Sequence, residues 1–446
     1  MIPLSPNPVD RESFGEMREI ARGIFFHSLA ASSISRAFER HVHCERSVLR
    51  ICGDLYDLHS YSRVQVISIG KAGHTMAEAL SAQMGASLLE GIVATSVETA
   101  AQVHAFRYFR GGHPTPNAES IRAASAILKT LRHQNAASLI IFLISGGGSS
   151  LVEKPLDDEI SLGDLIATYR ALVLSGAPIA EINAIRKHLS AVKGGRLAQA
   201  AYPAQQVSLL VSDVPDSTPD ALASGPTMPD STSAEDCYRI VEKYGLLPQL
   251  PRPARELFER RALDETPKSD DPAFVRSRWW PVLSNESVVN EAKAAAEKAG
   301  FTVCVDNSCD DWDYESAADY LLNRLRQLRK ESARVCLISG GEVTVKVTNG
   351  GTGGRNQQFA LACARKIAGE NITVLSAGTD GIDGNSLAAG AVADGSTLDR
   401  GRARGLDAQA SLEKFDAYPF LASLGDAIEI GPTGNNLRDL RILLAF

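Results

Sequence analysis

Short apolar runs that empty into glycine or polar turns alternate along this chain with stretches of helical period. Arg63–Ile69 (RVQVISI) reads as the first clear strand, followed by Gly70-Lys71-Ala72-Gly73 and a helix to about Met84. Gly91–Thr95 is another short strand. The loop from Gly111 to Asn117 leads into a helix that Asn117 can cap. Ser138–Ile144 is the most apolar run and opens into Ser145–Ser150 (SGGGSS). Helical patterns follow at Leu162–Leu174 and Ile179–Lys193, the latter ending at Gly194-Gly195. Val207–Val211 is a strand that ends in Ser212-Asp213-Val214-Pro215-Asp216. Strand, polar loop and helix in this order predict a parallel α/β sheet.

The rhythm breaks between Leu247 and Pro281, where prolines cluster and Asp264–Asp271 is rich in charge. The expected organisation is therefore an N-terminal domain over 1–247, a linker over 248–281 and a C-terminal domain over 282–446. The last ~30 residues are expected to pack back on the N-terminal domain. Trp279 and Trp280 close the break and are read as core residues, given the area a tryptophan buries.

In the second half, Leu337–Gln358 (LISGGEVTVKVTNGGTGGRNQQ) repeats the design of the SGGGSS loop, down to a shared Leu-Ile-Ser-Gly-Gly. Val335–Ile338 reads as a buried strand, Ser339-Gly340-Gly341 as a loop whose N–H groups can approach a ligand, and Glu342 as a carboxylate at its exit. Val343–Val347 alternates like a further strand. Arg355 stands where a glycine loop becomes a helix N-terminus, a place that favours anions.

Bulk properties narrow the classes. The chain has 446 residues, too many for one ordinary core. It is 44% hydrophobic and 22% charged, as in soluble globular proteins. A net charge of −7 speaks against a nucleic-acid partner and leaves small anions open. Seven scattered cysteines without CxxC spacing suggest free thiols in a reducing compartment. No secretory pattern opens the sequence and no apolar run reaches bilayer length, so a cytoplasmic protein is expected, as monomer or homodimer.

Candidate chemistry gathers at predicted strand ends: Lys71, Ser145–Ser150, Asp213, Ser339–Glu342 and Asp380. In a parallel sheet, ligands bind beyond those ends. Lys71 is a ligand lysine or a surface lysine. Asp213 is a metal or hydroxyl ligand, or an Asx turn before Pro215. Asp380 and Asp383, with Glu342, offer oxygens suited to a hard cation, and turn chemistry explains them almost as well. Arg186 and Lys193 share a helix face by spacing, with Lys187 and His188 nearby, and a solvated cationic face is the alternative. His113 is ambiguous. No Walker loop, kinase H-R-D or D-F-G set, nucleophile elbow or G-x-G-x-x-G fingerprint is present. The residues alone point to an α/β enzyme for a small anionic, phosphorylated ligand with a divalent metal.

Taken together, the motifs resemble the glycerate 2-kinase family whose C-terminal half is called the MOFRL domain. The blocks are Gly70-Lys71-Ala72, Gly112-His113-Pro114, Ser145–Ser149, Asn183-x-x-Arg186-Lys187-His188, Lys193-Gly-Gly-Arg196, Ser212-Asp213-Val-Pro and Ser224-Gly-Pro-Thr227. They continue in Gly340-Gly-Glu342, Gly353-Gly-Arg355-Asn356, Gly378-Thr-Asp380-Gly-Ile-Asp383 and Gly431-Pro-Thr-Gly. The resemblance implies a Rossmann-like parallel-sheet N-terminal domain, a smaller α/β C-terminal domain and an active site in the cleft between them. It implies transfer of the ATP γ-phosphoryl group to the 2-hydroxyl of D-glycerate, with Mg²⁺. Lys71, Arg355 and Asp213 are then expected to be catalytic. Ser145, Gly146, Gly147, Gly148, Ser149, Arg186, Lys193, Ser339, Gly340, Gly341 and Asn356 would bind substrate or nucleotide, and Asp213, Glu342 and Asp380 would hold metal. An older label in the family, hydroxypyruvate reductase, supplies the alternative of an NAD(P)H-dependent reduction, and a sensor without turnover is a third.

Overall fold

The computed structural model describes residues 8–85, 90–99, 101–215, 217–347 and 350–446. Asp216, read above as part of the turn after Asp213, lies outside the described residues, as does the start of the chain. Among the described residues no helix is long and apolar enough to cross a membrane. The chain forms two compact units, one spanning Ile34–Val282, the other joining the N-terminal helix Pro8–Ala31 to Leu283–Phe446.

The Ile34–Val282 unit is built on a six-stranded sheet in the spatial order Phe106–Arg110, Glu90–Thr95, Arg63–Ile69, Ser138–Ser145, Gln205–Val211, Ser277–Leu283. The first five run parallel. Ser138–Ser145 is buried at every position, which is why its sequence is a continuous apolar run rather than an alternation. The chain starts this sheet in the middle, at Arg63–Ile69, adds two strands on one side and then crosses to add Ser138–Ser145 on the other. The reversal leaves a crevice at the carboxyl ends of Arg63–Ile69 and Ser138–Ser145. Ile67, Phe142 and Ile144 pack with Ala123, Ile127 and Leu131 of helix Ala118–Leu131 to form the core beneath it.

Residues 248–281 are not a linker. Helix Arg252–Glu259 buries Ala254 and Phe258 against helices Leu162–Leu174 and Ile179–Leu189, and Ser277–Leu283 is the sheet's edge strand. The prolines at 251 and 253 start that helix instead of breaking one. The tryptophans are not core residues either, because their strand lies at the sheet's edge, where side chains on both faces are less covered. Trp279 is 44% exposed, and Trp280 donates from Nε1 to Asp54 Oδ2 at 2.9 Å.

In the other unit the order is Thr302–Val305, Val335–Ser339, Asp439–Ala445, Ile372–Gly378, Gly390–Asp394, Ala427–Ile428. The first pair is parallel and all other neighbours are antiparallel. The tail belongs to this sheet. Asp439–Ala445 is buried at every position and lies between two strands of this sheet, the place where an apolar run can be covered on both faces. Helix Pro8–Ala31 joins this unit, not the following one: Phe14 meets Phe446 edge-to-face at 5.9 Å, and Arg18 pairs with Asp394. Val343–Val347 forms no strand. Thr344 makes a single bridge to Asp313 in the loop at 312–314, which leaves no partner for an extended ladder.

Candidate functional site

At the reversal point of the first sheet, three strand ends interlock. Lys71 N–H donates to Gly146 O at 2.9 Å, and Ala72 N–H donates to Ser145 Oγ at 3.1 Å. Gly70 has φ +131°, and a Cβ there would fall 2.0 Å from Ser145 Oγ, so only glycine lets the two loops cross. A Cβ on Gly146 would lie 1.9 Å from Asp213 Oδ2, and one on Gly147 would lie 3.1 Å from Lys71 Cγ and 2.9 Å from His113 Cδ2. Lys71, His113, Asp213 and the glycine loop are thus one constellation. Burial, and then the Lys71 charge, hold the His113 imidazole below its ordinary pKa, so at neutral pH it is an uncharged hydrogen-bonding group. Among the described residues none accepts a hydrogen bond from the N–H of Gly147, Gly148 or Ser149, while the Ser149 hydroxyl lies 2.9 Å from that of Ser224.

The asymmetry at Gly146 gives a test. Its backbone φ lies outside the left-handed region, so alanine adds no backbone strain, only a methyl group in the space of the Asp213 carboxylate. Gly146→Ala is expected to cut kcat by about 10²-fold with Tm nearly unchanged, read from steady-state kinetics and a thermal melt on the same sample.

The cationic cluster on helix Ile179–Leu189 is neither a ligand face nor a solvated one. Lys187 is buried and pairs with Asp220 at 2.8 Å and Asp230 at 3.2 Å. His188 is buried and shares its Nε2 with Glu265 at 2.9 Å. Lys193 lies beyond the helix, which ends at Leu189, so it does not share the Arg186 face. It is buried in an ion pair with Glu153, which also accepts from Tyr169 Oη at 2.6 Å, Ser190 Oγ at 2.6 Å and Lys154 N–H at 2.9 Å. Arg186 differs from these three in the cavity it lines. Its guanidinium sits 4.8 Å above the Tyr169 ring, and it lines a cavity of about 680 Å³ with His113, Gly147 and Ser149.

The second edge carries the other candidates. Val335–Ser339 and Ile372–Gly378 both run antiparallel to Asp439–Ala445, so their carboxyl ends and Asp439 lie along one edge. Arg355 is held there by Asp439, through Nε at 2.6 Å and Nη2 at 3.0 Å, and by Glu342 at 2.8 Å. Burial works against the Arg355 charge, but the Asp439 bonds and the two carboxylates outweigh it and raise its pKa. Asp380 lies beside this group, and burial raises the pKa of both Asp380 and Glu342, the Asp439 charge adding to it. Asp439 was not among the sequence candidates. The available signal was an acidic residue opening the apolar run DLRILLA.

The Ser339-Gly340-Gly341 loop is not an open anion cradle. Gly340 N–H donates to Asn307 at 2.8 Å, Gly341 N–H to Asn285 at 2.9 Å and Glu342 N–H to Asp310 at 3.0 Å. Ser339 is buried beside Arg441. Asn356 is also buried, accepting from Ser376 Oγ at 2.6 Å. The helix N-terminus at Arg355 already has its anion, the Asp383 carboxylate, which accepts from Asn356 N–H at 3.1 Å and Gln357 N–H at 2.9 Å. Among the described residues no three His, Cys, Asp or Glu side chains are arranged to hold a metal ion.

Burial pushes the Asp383 carboxyl up to about 7, against those two bonds. An unfolded aspartate titrates near ~3.9, so the folded state binds the extra proton, and stability should fall as pH rises from about 4 to 7. Asp383→Asn is expected to lower stability, since one amide oxygen cannot serve both N–H groups, yet to flatten that pH slope. Denaturant midpoints at pH 5 and pH 7 check it.

Two family models match the chain: a domain of unknown function (DUF4147) over residues 20–259 and the MOFRL family over residues 335–439. The chain is 36% identical to a D-glycerate 2-kinase from Thermotoga maritima over 85% of its own length and 90% of that protein. It is 36% identical to an Agrobacterium vitis protein named provisionally for hydroxypyruvate reduction, over 86% of this chain and 87% of that one. A crystal structure of glycerate kinase from Thermotoga maritima superposes with a TM-score of 0.84 at 33% identity, covering 97% of this chain and 100% of that one. Extended likeness in sequence and in both sheets leaves one assignment: the chain belongs to the glycerate 2-kinase family with a MOFRL C-terminal region.

Proposed function

We propose that this chain is an ATP-dependent kinase that phosphorylates the 2-hydroxyl of D-glycerate to give 2-phosphoglycerate. The observation that carries the reading is the crossing of Lys71, Asp213 and a glycine loop with open N–H groups at the reversal point of a parallel sheet. Phosphoryl transfer asks for alignment and charge neutralisation more than for a strong nucleophile. Lys71 and the N–H groups of Gly147–Ser149 meet phosphate oxygens. In this reading Asp213 accepts the proton of the attacking hydroxyl, and Arg355 stabilises charge on the transferred group. Relatives named D-glycerate 2-kinase and glycerate kinase support the substrate class.

Mg²⁺ fits the oxygen donors of these edges, although no three of them form a cage. Such an ion is commonly held by one or two carboxylates together with substrate phosphates. Asp213 on the first edge and Asp380 on the second are the candidate holders, while Glu342 pairs with Arg355. When bound, the ion supplies charge neutralisation at the phosphate oxygens.

Incubation with Mg-ATP and D-glycerate, followed by identification of the phosphoglycerate isomer, tests the reading. The 2-isomer is expected; ATP-independent oxidation of NADH on hydroxypyruvate would replace the kinase with the reductase. Binding of either substrate without turnover would favour a sensor.

A further inference from the structure

Resting on the kinase reading, we infer that the cavity beside the Gly147–Ser149 loop is the nucleotide site, with the base in its apolar part and the phosphates on the loop and Arg186. Its volume is about 680 Å³. A three-carbon acid would leave most of that space unfilled, whereas a nucleoside triphosphate belongs to the size range of ligands for which pockets of about 300–1,000 Å³ are usual.

Charge and polarity agree with this occupant. Among the described residues no aspartate or glutamate lines the cavity, while Arg170 and Arg186 do. Lys71 adjoins it through Gly147. Arg186 is half-buried, its Nε has no partner among the described residues, and its guanidinium rests on Tyr169, whose hydroxyl donates to Glu153. A desolvated cation held this firmly is prepared for an anionic oxygen. The remaining wall is apolar: Pro114, Pro116, Ile166, Val173 and Leu174. Val173 is 59% and Leu174 72% exposed, and neither belongs to the buried core. A flat heterocycle covering them would remove apolar surface from water, which a small hydroxy acid cannot do.

The glycine loop near Arg355 cannot play this part, because its N–H groups already donate to Asn307, Asn285 and Asp310. Among the described residues, the first of the two similar loops is the one whose N–H groups, at Gly147–Ser149, have no acceptor.

Val173→Glu and Leu174→Glu test the assignment, since both side chains are exposed and the fold does not depend on them. Binding of the non-hydrolysable analogue AMP-PNP is measured by calorimetry, and KM is measured for each substrate. Each variant is expected to weaken AMP-PNP binding and raise KM for ATP by 10-fold or more, with KM for D-glycerate within 2-fold of the parent. Unchanged KM for ATP in both variants, in an enzyme that still makes 2-phosphoglycerate, would overturn the site and leave the kinase reading standing. A parent protein that neither binds AMP-PNP nor forms phosphoglycerate would overturn both.

Discussion

Arg355→Ala is expected to lower kcat by about 10³-fold, the scale at which an arginine acts on a transferring phosphoryl group. Asp439 and Glu342 engage Nε and Nη2, leaving Nη1, among the described residues, as the donor for an incoming oxygen. The guanidinium is therefore oriented before substrate arrives, the condition under which a fixed charge acts most strongly on a transition state. Arg355→Lys should recover only a small part of the rate, because an ammonium cannot satisfy both carboxylates and still present a donor in the same direction. The side chain is 35% exposed but its partner Asp439 only 1%, so Arg355→Ala also costs stability, and turnover is measured below the variant's own thermal transition. Near-normal turnover in Arg355→Ala, in a protein with an ordinary thermal transition, would remove this residue from the mechanism.

Lys193→Met carries the largest expected effect on stability, a loss of about 3–5 kcal/mol from stranding a buried carboxylate. Lys193 and Glu153 are 1% and 0% exposed, so water cannot take the place of the lost partner. Tyr169 and Ser190 still donate to Glu153, which keeps the estimate toward the lower end. Adding Glu153→Gln is expected to restore much of the loss, because the charge left without its partner is then removed. If the single variant unfolds at the parent's urea midpoint at pH 8, the pair is not the support proposed here. Because Tyr169 carries Arg186, the same change should also raise KM for ATP.

Local pattern was enough for the elements and for the ligand edge of the first sheet. The apolar run Ser138–Ile144 had to be a buried strand, Gly70-Lys71 and Ser145–Ser149 had to leave strand ends, and both did. The limits of local pattern appear where charge was read without its partner. Lys187, His188 and Lys193 look like a cationic face in one dimension, yet Asp220, Asp230, Glu265 and Glu153 come to them from distant segments and take them into the interior. The two Leu-Ile-Ser-Gly-Gly loops look equivalent, yet Asn285, Asn307 and Asp310 close one of them.

The sequence by itself determined the α/β class, the glycine-bounded strand ends and the family, because period, apolar runs and turn residues act over a few neighbouring positions. Only the tertiary structure decided that helix Pro8–Ala31 and strand Asp439–Ala445 complete the same unit, that Asp439 clamps Arg355, and which glycine loop keeps its donors. Those outcomes depend on which distant polar group reaches a given N–H or charge first, a competition settled by packing across the whole fold and invisible to any local window.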